Sequence, residues 1–326
     1  MLRKFLKIIF LTPLYLSSNC DFQTANYINE LRDVKQLNEI VITIPKSTRW
    51  AKNQIKAVIS KEDLIEPKYK KRFKAEIKVN YSFGSCIFDG KVRISGDWKD
   101  HISFKNGNPV SSLDIHLSNG NIFNATKFKL FLPETRYGIY EVIASEIFSR
   151  LGYLSPKTFL AEVEVNTLKH QYIFQEKSAK EMLERNNRTE GPIFEADESI
   201  LWGYKDFAPL ELDDISLARM INTNWVEKGS VSSSISLSAF IELQKKYIKY
   251  SNRELFISQL LGEEFNHFSI LLIAMSGDHS LNRHNRKLYF NSFEQKFEPI
   301  YYDGNFDLKN RRRDSLAPYF LENVDQ

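Results

Sequence analysis

Apolar and polar residues alternate with a period of two through much of the first half of the chain. In 73–79, apolar residues take every second position and Lys or Glu lies between them. Because neighbouring side chains of a strand point to opposite faces, this alternation predicts strands with one buried face. A turn at Asp89-Gly90 is predicted to join 86–88 and 92–94 into a hairpin. The other segments with strand patterns are 40–44, 113–117, 128–132, 159–165 and 172–176.

Helical spacing of apolar residues becomes dominant further along the chain. Ile139, Ile143 and Ile147 lie on one helical face, and Gly152 is placed to end that helix. The remaining helices are predicted after Ser47, near 178–185, and at about 212–224, 236–250 and 253–275. A polar loop, 277–285, and two short strands, 288–290 and 297–302, complete the chain. Strands followed by helices predict an α+β fold with a ligand cleft between the two halves.

The N-terminus has the pattern of a secretory signal. A basic start, an apolar centre and small polar residues lead up to Cys20, and the apolar stretch is too short to span a bilayer. We predict a signal peptide at 1–20, a connecting region at 21–66 and one large domain at 67–326. The protein is expected to be exported, as a periplasmic, membrane-anchored or extracellular protein. Cys20 is a candidate for lipidation and hence for a membrane tether, although Asn19 departs from the usual lipoprotein motif.

Composition narrows the classes of partner. The 326 residues are 42% hydrophobic and 26% charged, which is typical of a packed globular protein. A net charge of +4 is too small to indicate a nucleic-acid partner, and the basic run 309–313 is typical of a solvated surface. With only Cys20 and Cys86, neither a disulfide framework nor a thiolate metal site is predicted.

The polar loop and the strand after it contain the residue types that phosphoryl transfer requires. Asp278 opens the loop, Asn282 and Asn285 follow, and Asp303 comes after the last strand. A carboxylate can accept a hydroxyl proton, while an amide oxygen and a second carboxylate can hold Mg²⁺ on phosphates. Gly304 is expected to let the backbone turn sharply after Asp303. Taken alone, Asp and Asn in loops are also typical turn residues.

The order of motifs resembles the CotH family, the spore-coat-protein-H kinases and their relatives. That family carries an Asp-to-Asn loop, a Leu-Tyr strand and a Pro-hydrophobic-Asp ending, which here are 278–285, 288–289 and 299–303. The resemblance covers about residues 70 to 310, and each motif is loose while their order is specific. The upstream segments that match are 92–101, 127–136, 141–152 with Pro156, 172–176 and 181–184.

This resemblance implies an atypical protein-kinase-like bilobal fold, with a strand-rich N-terminal half and a helical C-terminal half, in a CotH kinase-like domain. It implies an exported enzyme that uses ATP and Mg²⁺ to phosphorylate Ser/Thr or other hydroxyls on a protein or surface polymer. The implied site is Asp278 as catalytic base, Asn285 and Asp303 on Mg²⁺, Lys127 or Lys129 on the phosphates, Glu141 as ion-pair partner of that lysine, and Glu176 near the adenine.

One departure from the family pattern leaves alternatives open. Asp278 and Asn285 are seven residues apart, which is longer than the family spacing. Asn282 is an alternative metal ligand, and if Asn285 is fixed instead, the base position falls on Ser280, which cannot serve. The loop therefore carries an insertion, or the protein is a non-catalytic pseudokinase that acts as an envelope binding or structural module. The spacing of His279 and His284 does not suit a zinc site.

Overall fold

Seven strands of the chain close into a β-barrel. The structure, a computed structural model, describes residues 20–22, 31–197, 217–252, 254–255, 261–281 and 285–306. Around the barrel the strands follow the order β4-β3-β2-β9-β10-β8-β7, numbered here by position in the chain, and β7 returns to β4. Their bounds are β2 Leu37–Thr43, β3 Phe73–Tyr81, β4 Gly84–Ile94, β7 Leu113–Leu117, β8 Lys127–Phe131, β9 Thr158–Val165 and β10 Leu168–Glu176.

The length of β4 allows the barrel to close. Its 11 residues pair with β3 at Gly84–Val92 and with β7 at Gly90–Ile94. Gly90 is needed there, because a Cβ would lie 2.6 Å from Ile77 Cδ1 and 2.9 Å from the His116 carbonyl oxygen. The predicted turn at Asp89-Gly90 is therefore wrong. Gly90 lies inside a strand that passes close to its neighbours, and the chain turns between β3 and β4 instead.

A short strand, β1 (Cys20–Phe22), pairs with the first residues of β4. Cys20 and Cys86 are opposite each other in this pairing, and their sulfurs form a disulfide. The sequence analysis predicted no disulfide, because two isolated cysteines do not reveal that a barrel strand brings them together. The bond uses the Cys20 thiol that lipidation would require. A separate hairpin comprises β5 (Ile102–Lys105) and β6 (Asn108–Ser111).

The barrel interior is filled by alternate side chains of its strands. Aromatic rings stack through its centre: the centroids of Phe128 and Phe174 are 4.6 Å apart, and those of Phe174 and Phe159 are 4.5 Å apart. Such pairs add packing energy of about 1 kcal/mol each beyond their buried area. The strands predicted at 73–79, 113–117, 128–132, 159–165 and 172–176 are confirmed, since each segment coincides with a barrel strand and every second residue along it packs in this core.

The second core lies beside the barrel and contains both strands and helices. Its antiparallel sheet has the order β12-β11-β13-β14. The bounds are β11 Ile193–Ala196, β12 Ala218–Met220, β13 Lys287–Asn291 and β14 Lys296–Ile300. The α-helices of the described residues are α1 Ser47–Ile59, α2 Ile139–Arg150, α3 Lys180–Arg185, α4 Ser230–Ser251 and α5 Glu263–Ala274.

The predicted kinase-like bilobal fold is wrong. The strand-rich part is a closed barrel rather than an open sheet, and the part predicted to be helical contributes a four-stranded sheet. Closure depends on the pairing of β4 with β7, and local alternation carries no information on such a distant pairing. The region 21–66, predicted as a connection, supplies β2 to the barrel and helix α1.

Of the other predicted elements, some are confirmed and some are wrong. Helix α2 and its end at Gly152, where φ is +87°, are confirmed. The helix predicted at 212–224 is wrong where the structure describes it, since Ala218–Met220 is strand β12 and a 3₁₀ turn follows, while 212–216 lie outside the described residues. Within the described ranges, no helix has the length and apolarity needed to cross a membrane.

Candidate functional site

A cleft of about 840 Å³ separates the outer face of the barrel from the second sheet. One wall is a row of four polar residues at paired positions on adjacent strands: Arg93 on β4, Asp114 on β7, Lys129 on β8 and Gln175 on β10. The residues on either side of Arg93, Asp114 and Lys129 fill the barrel core, as does Phe174 before Gln175, so this row faces outward into the cleft. The opposite wall comes from β11, β12, β13 and the segment after β14.

Asp303 lies on the opposite wall, in the segment that follows β14. Its Oδ2 is 3.0 Å from a terminal nitrogen of Arg136, and its side chain is only 9% exposed. Its other carboxylate oxygen, Oδ1, is buried and has no hydrogen-bond partner. The left-handed φ of +54° belongs to Asp303 itself. Gly304 is required for a different reason than predicted, because a Cβ there would collide with the ring of Phe306.

Arg136 anchors Asp303 from the barrel side. It follows β8 in a 3₁₀ turn, Pro133–Arg136, and its guanidinium lies 4.3 Å from the ring centroid of Phe131. Although burial opposes its charge, the neighbouring Asp303 carboxylate raises the pKa of Arg136 above its ordinary value. Arg136 therefore remains a cation over the range of pH in which proteins are folded.

Glu141 is buried behind this ion pair and has no lysine partner among the described residues. The Tyr301 hydroxyl donates to its Oε2 at 2.6 Å, and Gln175 Nε2 donates to its Oε1 at 2.9 Å. Burial and the nearby negative charge of Asp303 raise the pKa of Glu141 to about 7. The predicted Lys–Glu141 ion pair is not formed, because both carboxylate oxygens are already engaged by neutral donors.

The structure distinguishes the two candidate lysines. Lys129 lines the cleft, whereas Lys127 does not. The Lys129 ammonium donates to the Tyr302 hydroxyl at 3.1 Å and lies 5.2 Å from the ring centroid of Phe131. Burial lowers its pKa, but Tyr302 and Asp114 more than offset this effect and raise it above the ordinary value. Among the described residues, no carboxylate lies within ion-pairing distance of the Lys129 ammonium.

Asp114 is a buried carboxylate that the sequence analysis missed. Its Oδ2 lies 2.7 Å from Arg93, 3.2 Å from Arg72 and 3.5 Å from Lys177. Burial raises its pKa, but His116 and these cations hold the pKa of Asp114 below its ordinary range. Three cations around one carboxylate leave an excess of positive charge at this end of the cleft.

Lys177 is one of the cations at this end of the cleft. Burial, together with repulsion from Lys129, Lys287 and Arg93, lowers its pKa to about 8 even though Asp114 opposes the change. An anion that binds among these cations would relieve the repulsion. This end of the cleft therefore suits an anionic group such as a phosphate.

Glu176 lines the cleft beside Gln175. Its Oε2 accepts hydrogen bonds from Arg185 at 2.6 Å and from the Lys157 backbone at 3.0 Å, while its Oε1 is buried without a donor. The carboxylate thus fixes the end of β10 to α3. A role of Glu176 beside an adenine ring stays a prediction.

The polar loop contributes to the cleft only in part. Asp278 begins a 3₁₀ turn, Asp278–Leu281, and is not among the described residues that line the cleft. The next residue, His279, does line it, with Nε2 3.9 Å from Asp303 Oδ2. Asn285 is buried in the wall and donates to the His279 carbonyl oxygen at 3.0 Å. Asn282 lies outside the described residues.

The oxygen atoms that meet in the cleft suit a Mg²⁺ ion that is held partly by substrate phosphates. They do not suit a metal ion that is held by protein side chains alone. Asp303 Oδ1 and Asn305 Oδ1 are buried oxygens with no donor, and Asn285 has an amide oxygen in the same wall. In the part of the chain that is described, no group of three or more His, Cys, Asp and Glu residues could hold a metal ion. Mg²⁺ is commonly bound by one or two carboxylates together with substrate phosphates.

Comparison with known proteins does not assign the chain to a family. No protein-family model matches the sequence, and no curated protein matches it significantly. The resemblance to the CotH family is therefore still a prediction from sequence motifs, and the chemistry of this cleft is the basis on which its function can be proposed.

Proposed function

We propose that the cleft binds ATP with Mg²⁺ and transfers the terminal phosphoryl group to a hydroxyl on a protein or surface polymer. The main support is the presence of two incompletely matched charges in one cleft. The Lys129 ammonium contacts a hydroxyl rather than a carboxylate, and the Asp303 carboxylate has one oxygen without a donor. Arg136 pairs with only one oxygen of Asp303. Buried polar atoms normally have partners, so the other Asp303 oxygen and the Lys129 ammonium favour a ligand with phosphates and a divalent cation.

Some residues of the chain would bind the phosphates of the nucleotide, and others would hold the metal ion that stabilises the phosphate charge. Lys129 would contact the phosphates, and the cations around Asp114 would attract them into the cleft. Asp303 would hold Mg²⁺ with help from Asn285, and the metal would neutralise part of the phosphate charge. Arg136 fixes the position of Asp303, so that the carboxylate is oriented before any ligand arrives.

Transfer itself consists of one displacement. The acceptor oxygen forms a bond to the terminal phosphorus, the bond from that phosphorus to the bridging oxygen breaks, and ADP leaves with the electron pair. The acceptor's proton passes to a carboxylate, for which Asp278 is the predicted residue. The proposal rests on the chemistry of the cleft and not on a kinase fold, since one chemistry occurs on unrelated folds.

An exported location is part of the proposal. Disulfides persist mainly in oxidising compartments, so the Cys20–Cys86 bond supports export. The same bond argues against lipidation of Cys20, because the thiol is already used. We therefore propose a periplasmic or extracellular protein.

A second candidate function is a non-catalytic module that binds the same ligand in the envelope. The position of Asp278 favours it, since this residue is not among the described residues that line the cleft. A protein of this kind would retain nucleotide binding but lack a positioned base. The two candidates differ only in transfer, so binding and transfer must be measured separately.

Nucleotide binding is tested by titration calorimetry of the full chain with ATP, in the presence and absence of Mg²⁺. Lys129→Met should weaken binding on the order of tenfold or more, because a charge-assisted contact is lost. Lys127→Met is the matched control, as it removes the same charge two positions away on β8 and outside the cleft. If wild type binds no nucleotide under any of these conditions, both candidate functions are wrong.

Transfer is tested with radiolabelled ATP and both a Ser-rich acceptor and the protein itself. If Asp278 is a general base, Asp278→Asn should lower the rate on the order of 10²- to 10⁴-fold while nucleotide affinity stays unchanged. A wild type that binds ATP with Mg²⁺ but labels no acceptor would support the non-catalytic candidate and contradict the enzyme.

A further inference from the structure

An open groove on the side of helix α1 is strongly basic. It has a volume of about 710 Å³ and lies between α1 and the segment that precedes β3. Among the described residues that line it, five are cations and none is acidic. The cations are Arg49, Lys52, Lys56, Lys68 and Lys71. Such a concentration of one charge at the surface attracts an anionic partner.

Most of these cations have no counter-charge within the described part of the chain. Lys68 pairs with Glu66 at 2.7 Å. In the described ranges, no carboxylate lies within ion-pairing distance of the other four. All five residues are exposed, so their charges can reach a partner without any rearrangement of the fold.

Helix α1 adds two exposed apolar side chains beside the groove. Ile55 and Ile59 are one helical turn apart and are 39% and 72% exposed. Ile59 follows Lys52 by seven residues and Lys56 by three, so these side chains share one face of the helix. Trp50 lies on the opposite face and packs in the barrel core. The helix sequence contains no acidic residue.

The residues that flank α1 leave the positive charge of this surface unchanged. Lys61, Glu62 and Asp63 follow the helix, are exposed, and contribute one positive and two negative charges. Lys46 precedes the helix, is also exposed, and contributes one positive charge. These contributions cancel, so the groove and the exposed side of α1 together remain basic. We refer to this surface as the basic face.

We infer that the basic face docks on a membrane surface that contains anionic phospholipids. The lipid phosphates attract lysine and arginine, and exposed isoleucines beside them can enter the boundary between headgroups and acyl chains. A soluble polyanion would contact the cations alone and would leave Ile55 and Ile59 in water. The combination of cations and apolar side chains therefore favours a lipid surface. The inference does not depend on the proposed function.

The shape of the basic face is fixed before a partner arrives. Asn53 Nδ2 donates to the Tyr69 carbonyl oxygen at 2.8 Å, which joins α1 to the other wall of the groove. The ring of Trp50 packs edge-on against Phe73, with centroids 5.2 Å apart. Because α1 is already folded and held on the barrel, membrane binding does not have to overcome the entropy of forming the helix.

The experiment is cosedimentation of the full chain with vesicles of phosphatidylcholine alone, and with vesicles of phosphatidylcholine and phosphatidylglycerol in equal amounts. The protein should bind only the anionic vesicles, and added salt should weaken binding. Lys52→Gln/Lys56→Gln should weaken binding on the order of tenfold or more, since each lysine near an anionic surface contributes about fivefold in affinity. Lys245→Gln/Lys249→Gln is the matched control, because it removes two exposed lysines with the same spacing from α4 and should leave binding unchanged.

Ile59→Ser separates a lipid surface from a soluble polyanion. It leaves the charge unchanged and should weaken vesicle binding several-fold, because less apolar surface enters the lipid. Its melting temperature should equal that of wild type, since the side chain is already exposed. ATP binding should be unchanged in the Ile59 and Lys52/Lys56 variants, since none of these residues lines the cleft.

The inference is overturned if wild type does not bind the anionic vesicles or binds the neutral vesicles equally well. It is also overturned if the α4 control loses as much affinity as Lys52→Gln/Lys56→Gln, because binding would then follow net charge and not this face. If soluble polyphosphate binds the basic face and Ile59→Ser leaves vesicle binding unchanged, the partner is a soluble polyanion and the lipid inference is wrong.

Discussion

Arg136 and Asp303 form an ion pair of 3.0 Å in which the side chains are 10% and 9% exposed. Arg136 belongs to the turn after barrel strand β8, and Asp303 to the segment after β14 of the second sheet. The pair therefore joins the two walls of the cleft. Because both groups are buried, each depends on the other for charge compensation, and the wall geometry depends on both.

Breaking this pair from one side should be costly. Arg136→Met or Asp303→Asn should each lower the free energy of unfolding by about 3–5 kcal/mol, since each leaves a buried charge uncompensated. Asn suits position 303 because it tolerates the left-handed φ of +54°. The double variant should lose less than the sum of the two single losses. Denaturant unfolding of the four proteins measures this coupling, and simple additivity would contradict the prediction.

Glu141 should make stability fall as the pH rises. Its pKa is about 7 in the folded protein against an ordinary value of 4.5, so the folded state retains a proton that the unfolded state has lost between these values. The stabilisation is complete below pH 4.5 and is lost as pH rises to about 7, by up to about 3 kcal/mol. Glu141→Gln should remove this contribution. Urea unfolding of both proteins across this range tests it, and parallel pH profiles would contradict it.

His101 should make stability fall as the pH is lowered, which is opposite to the effect of Glu141. It is buried, binds the Ser112 hydroxyl at 3.0 Å, and its pKa is lowered to about 3 by burial and by Arg136 and Lys129. The unfolded state therefore binds a proton between about pH 3 and 6.5 that the folded state excludes. Its contribution to stability is present above pH 6.5 and is lost as pH falls towards 3. His101→Gln should be less sensitive to acid than wild type, as measured by unfolding at low pH.

The disulfide between Cys20 and Cys86 should contribute substantially to stability. It closes a loop across a sequence separation of 66, and such a bond contributes about 2–5 kcal/mol. Reduction should lower the denaturation midpoint of wild type, whereas the Cys20→Ser/Cys86→Ser variant should be insensitive to reductant. Mass spectrometry of the native protein provides a separate check. A lipid on Cys20, or two unpaired thiols, would contradict the bond.

The sequence predicted most strands correctly because strand alternation is local. The row formed by Arg93, Asp114, Lys129 and Gln175 could not be predicted in the same way. Each of these residues is only a polar position in an alternating segment, and their meeting depends on the register of four strands that are distant in sequence. The polar position of Asp114 between Leu113 and Ile115 was the available signal that it faces outward.

The two candidate lysines show the same limit of prediction from local strand alternation. Both Lys127 and Lys129 lie on one face of β8, so alternation cannot distinguish them. Only the pairing of Lys129 with Asp114 and Gln175, at the centre of the row, identifies it as the cleft residue. Asp303 was predicted from its motif, but its partner Arg136 was not, because a 3₁₀ turn has no periodic pattern that reveals which way its side chains point.

Strand β1 has a consequence for self-association. The first residues of β4 extend beyond the part that pairs with β7, and β1 covers their otherwise open hydrogen-bonding edge. An uncovered edge is a template for pairing with another chain. The Cys20–Cys86 bond holds β1 against this edge. Reduction of the bond would let β1 separate from β4 and would expose an edge that can pair with a strand of another molecule.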